Sequence, residues 1–237
     1  MPSRNSIKQY LEGGYYHIYN RGVEKRIIFQ DEQDYAVFLS YLKEYLMPKD
    51  TDALTARLAD SNTGYKEREE ILRVIRLNNF FDEISLLAFC LMRNHFHLLI
   101  KQIESTSIDK FMNSLSTRYV MYFNRKYKRV GPLFQDVYKA VLVESDAQLV
   151  YLTAYVHRNP LVYMPRTKGV PFRAWLLEKQ PSSYARYLGL QNTEWVKPEE
   201  IMYFFSKSRL AESYSSFVEQ ADDFGIVKKL LVDENDH

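Results

Sequence analysis

The chain has 237 residues, 46% hydrophobic and 26% charged, with eight glycines and eight prolines, which is ordinary globular usage and excludes a collagen-like or disordered chain. Its longest uncharged apolar run, Ile84 to Met92, falls well short of the roughly 20 residues that cross a bilayer, and the N-terminal Met-Pro-Ser-Arg-Asn-Ser lacks a signal-peptide apolar region, so a cytoplasmic protein is expected. Cys90 is the single cysteine, which excludes an intrachain disulfide and a cysteine-cluster zinc site, and the net charge of +2 conceals a basic middle: residues 101–175 carry twelve Lys/Arg against five Asp/Glu, where aromatics are also dense.

Tyr15 to Asn20 is aromatic and β-branched and is closed by Asn20-Arg21-Gly22, which predicts a first strand ended by a turn. From Asp31, apolar residues at Tyr35, Phe38, Leu39, Leu42 and Leu46 follow a three-and-four spacing behind an acidic first turn, the pattern of a helix. Residues 48–83 are acidic and polar, and read as a partly helical insertion. Ile84–Met92 and Phe96–Lys101 are two β-prone runs joined by Arg93-Asn94, the length of a tight hairpin link. Ile108–Tyr127 is a second amphipathic helix ending in a basic run and stopped by Gly131-Pro132. Tyr138–Val143 reads as a further strand, and Ala147–Arg158 as a helix halted at Asn159-Pro160. The order strand, helix, strand, strand, helix, strand, helix predicts an α+β, ferredoxin-like antiparallel sheet with helices on one face. Residues 1–160 form the expected catalytic domain, with 48–83 as its insertion. Residues 161–237 form a helical C-terminal extension, with helices over Pro198–Ser206 and Ala211–Gln220 and a frayed acidic tail.

The sharpest local feature is Asn94-His95-Phe96-His97-Leu98-Leu99-Ile100. Side chains alternate along a strand, so His95 and His97 share one face while Phe96 and Leu98 enter the core on the other. Two imidazoles on one face can grip one metal, or can simply be exposed or hydrogen-bonded; His17, His157 and His237 form no comparable pair. Tyr155 and Asn159 stand four apart and share one face of the third helix, where a phenol and a carboxamide oxygen approach one point. The plainer alternatives are a core aromatic and a helix cap. His157 lies about 200° round from Tyr155 at ~100° per residue, which sets it apart from that site.

These residues, with others around them, resemble the HUH single-tyrosine transposases, and within them the REP-associated group. The matching pieces are Tyr16-His17-Ile18-Tyr19-Asn20-Arg21-Gly22, Met92 to Leu99 with its His-hydrophobe-His centre, Gly131-Pro132-Leu133-Phe134-Gln135 with Tyr138-Lys139, and Tyr155 to Pro160. They run in the family order over residues 14–160, and Ser182-Ser183-Tyr184 with the helical tail resembles the extension of the REP-associated members. The resemblance implies the same ferredoxin-like core (the HUH nuclease core). It implies a nicking and rejoining enzyme acting on single-stranded DNA hairpins, with Tyr155 as nucleophile and His95, His97 and Asn159 as ligands of a divalent metal. The ligand types suit Mg²⁺ or Mn²⁺ without excluding zinc. Arg118, Arg125, Lys126, Lys128, Arg129 and Lys139 are read as phosphate contacts, with Arg21, Lys25 and Arg26 as a second basic strip and Arg158 as a further candidate. Tyr119 and Tyr122 are rival nucleophiles that lack a polar ligand four residues on. A metal-dependent hydrolase using the histidine pair, and a domesticated relative that only binds DNA hairpins, remain as other readings, and the family includes both monomers and homodimers.

Overall fold

The computed structural model describes residues 10–164, 171–178, 181–205, 207–221 and 223–230. In chain order the elements are β1 (Tyr15–Arg21), α1 (Glu32–Leu46), α2 (Thr51–Ala59), α3 (Tyr65–Arg76), β2 (Ile84–Met92), β3 (His95–Gln102), α4 (Ser107–Lys126), β4 (Lys139–Val143), α5 (Asp146–Arg158), α6 (Phe172–Glu178), α7 (Tyr184–Tyr187), α8 (Glu199–Met202) and α9 (Leu210–Gln220). Short 3-10 turns occupy Asn159–Tyr163 and Gly225–Leu230. The four strands form one antiparallel sheet in the order β2-β3-β1-β4, which is the ferredoxin-like topology.

Period-two alternation divides the sheet residues between two cores. On one face Ile18, Leu86, Phe89, Leu91, Phe96, Leu98 and Ile100 pack against Phe38 and Leu42 of α1 and Phe111, Leu115, Tyr119 and Phe123 of α4. Each such side chain, removed from water, contributes roughly 1.5–3 kcal/mol. These are the two crossover helices expected on one face. The other face is also covered: Leu87, Ala88, Cys90, Met92 and Leu99 pack against Leu152 and Val156 of α5 and against Leu176, Tyr184, Tyr214 and Val218 of the extension. α5 and the extension therefore roof the face that bears the histidines. Helices over Pro198–Ser206 and Ala211–Gln220 are found in shorter or shifted form as α8 and α9, while α6 and α7 were not foreseen. The extension also closes the outer edge of the sheet, because Leu91 N donates to Pro181 O, Ser183 N to Phe89 O and Lys197 N to Leu86 O. An edge strand so covered no longer offers a row of unpaired backbone groups. The acidic tail, His237 included, lies outside the described residues.

The 48–83 insertion is helical through most of its length. Asp50 caps α2 by accepting from Ala53 N, Lys49 Nζ donates to the terminal carbonyls of α3 at Ile75 and Leu77, and Arg68 donates to Leu58 and Asp60 at the end of α2. Cations thus sit on the carbonyl ends of both helices, where the helix dipole favours them.

One end of the sheet is tied by backbone hydrogen bonds between three segments far apart in sequence. Gly22 N donates to Asn94 O, Val23 N to Leu133 O, Gln135 N to Arg21 O, and Ile28 N and Phe29 N to Arg93 O. Gly22 makes that approach possible, since a Cβ there would stand 2.3 Å from Arg26 O and 2.8 Å from Ile28 Cγ2. Gly22→Ala is expected to destabilise the fold by about 1–3 kcal/mol through overpacking against backbone. Urea denaturation checks this, and an unchanged midpoint would mean that the turn can open without cost.

Candidate active site

β1 and β3 are central neighbours, with Tyr19 opposite His97 and Arg21 opposite His95. β4 sets Lys139 opposite Tyr19. Alternation therefore places His17, Tyr19, Arg21, His95, His97 and Lys139 on one face, at the end of the sheet tied by the three segments. The His95 and His97 rings are 4.9 Å apart and nearly perpendicular. α5 crosses above them and brings the Tyr155 ring to 5.7 Å from His97 and 6.2 Å from His17, edge to face in both cases. Asn159 ends α5, and its Nδ2 donates to Tyr155 O at 3.0 Å, which leaves Oδ1 as the carboxamide's remaining acceptor. The Tyr155–Asn159 spacing on one helix face and the histidine pair on one strand face thus meet at one place.

His97 is 1% exposed. Burial first, then the neighbouring His95, His17 and Arg21, hold its imidazole well below the usual histidine range, with the Asn159 carboxamide acting in the opposite direction. It is neutral, as a metal ligand must be. Its Nδ1 lies 2.9 Å from His17 Nε2, while its Nε2 has no hydrogen-bond partner among the described residues although it is buried. A buried ring nitrogen left open in this way is costly unless something else binds it. Among the described residues no three His, Cys, Asp or Glu side chains gather to hold a metal, so the available set is His95, His97 and the Asn159 carboxamide. An open nitrogen beside a carboxamide oxygen fits a divalent cation with positions to spare for substrate.

His17 was not singled out from the sequence, yet it is buried here between His97 and the extension, with Nδ1 3.0 Å from Leu230 O. The signal was its alternation with Tyr19 and Arg21 on β1, which becomes readable only once β1 is paired with β3. His157 stands apart from the site. Its Nδ1 and Nε2 lie 2.7 Å from Tyr214 Oη and from Ser183 Oγ, and burial lowers its pKa from 6.5 to about 3. Below pH 6.5 the unfolded chain takes up a proton that the folded chain refuses until about pH 3. Stability is therefore expected to fall as pH drops through that window, by up to ~1.4 kcal/mol per pH unit. His157→Gln should flatten this dependence in urea titrations, and an equally steep loss in the variant would place the acid sensitivity elsewhere.

The rival tyrosines lie on the opposite face of the sheet. Tyr119 is buried, donates its hydroxyl to Ile28 O at 2.6 Å, and is pushed far above the usual tyrosine range by that burial. Tyr122 donates to the buried Asp34 at 2.9 Å. Several cations read as phosphate contacts are engaged elsewhere. Lys126 bonds Asp31 and Asp34, Arg118 pairs with Glu44 at 2.7 Å and lies over the Tyr41 ring, and Arg158 donates to Val218 O and Glu219 O at the end of α9. These three hold elements together within the unliganded protein. Arg125, Lys128, Lys139 and Lys25 are exposed, and Arg129 stands beside Arg26, so the basic end of α4 meets the Arg21–Arg26 strip at the tied end of the sheet.

Residues 63–159 match the family model described as Transposase IS200 like. No curated protein matches the chain. Solved structures similar to it include a REP-associated tyrosine transposase bound to a REP hairpin, with a TM-score of 0.45 and 11% sequence identity, covering 81% of this chain and 91% of that one. The matched segment contains His95, His97, Tyr155 and Asn159, whereas β1 with His17 and Arg21 precedes it. Over residues 63–159, and so over the strands and helices that carry the histidine pair and Tyr155, the chain is similar to the IS200-like transposases.

Proposed function

We propose that the protein cuts and rejoins single-stranded DNA at hairpin-forming ends, with Tyr155 as the nucleophile. The observation that carries this reading is the approach of the Tyr155 ring to 5.7 Å from His97, whose Nε2 is buried and open. His95, His97 and Asn159 would hold Mg²⁺ or Mn²⁺, which supplies charge neutralisation at the scissile phosphate and polarises it for attack. Tyr155 attacks the phosphorus and gives up its phenolic proton to solvent, and the bond to the 3′-oxygen breaks as that oxygen takes up a proton from solvent, leaving a 5′-phosphotyrosine and a free 3′-hydroxyl. That ester conserves the energy of the broken bond, so a 3′-hydroxyl can reverse the step and join strands, which simple hydrolysis would not allow. Arg21 and Lys139, on the histidine face, orient the phosphates next to the cut. The choice of hairpin ends rests on the resemblance to the REP-associated group.

The exposed cations at the end of α4 would carry the flanking DNA. Arg125→Ala with Lys128→Ala is expected to weaken binding to all hairpins alike and to lower the salt dependence by about 2 contacts. Lys126→Ala should instead leave that slope unchanged and lower the unfolding midpoint, because it exposes a buried carboxylate to loss of its partner. Fluorescence anisotropy over a salt series separates the two, and an equal slope change in all variants would return Lys126 to the DNA surface.

The function is tested by incubating the protein with end-labelled single-stranded hairpins and Mn²⁺ or Mg²⁺, followed by denaturing gels. Cleavage with a protein-linked strand, abolished by a chelator, is expected. Tight binding without cleavage across many hairpins would favour a protein that only binds them.

A further inference from the structure

Two hydrogen-bond chains end on backbone carbonyls behind the histidine pair. In the first, His17 Nδ1 faces Leu230 O at 3.0 Å and His17 Nε2 faces His97 Nδ1 at 2.9 Å. The His17 and His97 ring centroids are 5.1 Å apart and the ring planes lie within 16° of each other, which suits a bond between in-plane nitrogens. In the second, Asn94 Nδ2 donates to Lys25 O at 3.3 Å, and Asn94 Oδ1 lies 2.7 Å from His95 Nδ1.

A carbonyl oxygen can only accept, so the proton positions propagate outward from it. Leu230 O requires a hydrogen on His17 Nδ1. The Nε2 of a neutral His17 then carries a lone pair, and His97 must donate from Nδ1. Lys25 O likewise fixes the Asn94 amide with its oxygen towards His95, which must also donate from Nδ1. We infer that His17 and Asn94 are positioning residues that hold His97 and His95 in the Nδ1–H tautomer, so that both present an Nε2 lone pair on the face beneath Tyr155. The open Nε2 of His97 is what this arrangement leaves behind. Without such partners an imidazole can place its proton on either nitrogen, and half of that choice is incompetent to bind a cation.

The inference deepens the proposed function and rests on it for the use of the lone pairs, but the tautomers themselves belong to the unliganded protein. It also gives the C-terminal extension a part in the site, since Leu230 belongs to the turn Gly225–Leu230 and lies 213 positions from His17.

The test uses the full chain labelled with ¹⁵N-histidine, metal-free, in long-range proton–nitrogen correlation spectra, together with Mn²⁺ titrations read by the electron paramagnetic resonance of free ion. Wild type should show His95 and His97 protonated at Nδ1 and bare at Nε2. His17→Leu should let His97 sample the other tautomer and weaken Mn²⁺ binding about 10–100-fold. His17→Gln should retain both properties, because its amide can donate to Leu230 O and accept from His97. A wild-type His97 with its proton on Nε2 would overturn the inference, as would a folded His17→Leu protein with unchanged tautomer and affinity. A wild type that binds no Mn²⁺ would instead contradict the cation in the proposed function, and the metal-free spectra would still decide the tautomers.

Discussion

Tyr155→Phe is expected to bind hairpin DNA with near wild-type affinity, to form no covalent adduct, and to cut at least ~10³-fold more slowly. The substitution removes one oxygen and keeps the ring, so the edge contacts with His17, His97 and Phe224 persist. Unfolding midpoints within experimental error of wild type would confirm that only chemistry was removed. Retained cutting would mean that water or another tyrosine attacks, and would turn the site into that of a metal-dependent hydrolase. Tyr119 and Tyr122 are poor substitutes, because one hydroxyl is buried on Ile28 O, the other is bonded to Asp34, and both face away from the histidines.

His97→Ala is expected to have the second-largest effect, a fall of at least ~10²-fold in cutting together with loss of Mn²⁺ binding in the absence of DNA. Its Nε2 is a buried nitrogen with no hydrogen-bond partner among the described residues. The variant also leaves His17 Nε2 without its 2.9 Å partner, so a stability loss of about 1–3 kcal/mol should accompany it. Mn²⁺ titration at a temperature where the variant remains folded separates the two effects. Unaltered Mn²⁺ affinity in folded His97→Ala would remove His97 from the cation site. Hairpin binding should survive in either case, because the exposed cations at the end of α4 and on β4 do not depend on His97.

Period-two alternation along β3 was enough to put His95 and His97 on one face and Phe96 and Leu98 in the core on the other, because strand geometry fixes facing locally. The four-residue spacing of Tyr155 and Asn159 was equally legible on α5. What joins these two local patterns is the path of α5 over the histidine face, and that path is set by Leu152 and Val156 packing on Leu87, Cys90 and Leu99. His17 was not assigned to the site because its link to His97 runs diagonally between strands 80 residues apart and depends on their register. The pairing of cations in the basic run is illegible for a related reason. Lys126 and Arg118 find carboxylates at the start and end of α1, 95 and 74 positions away, and a charge pattern along the chain gives no hint of which cations are paired across such distances. Arg158 finds the carbonyl end of a helix in the extension, a partner with no charge signature in sequence at all. The short helices α6 and α7 lack a long apolar period, so tertiary packing of Leu176, Tyr184 and Tyr187 defines them.

The most direct test of the account is to trap the product of the protein with a hairpin-bearing single strand and Mn²⁺, digest it, and locate the nucleotide-bearing peptide by mass spectrometry. The account predicts one modified residue, Tyr155, joined through oxygen to a 5′-phosphate, with the adduct absent from Tyr155→Phe and from His97→Ala. A phosphotyrosine at Tyr119, Tyr122 or any other tyrosine, or cleaved DNA with no modified peptide, would contradict it.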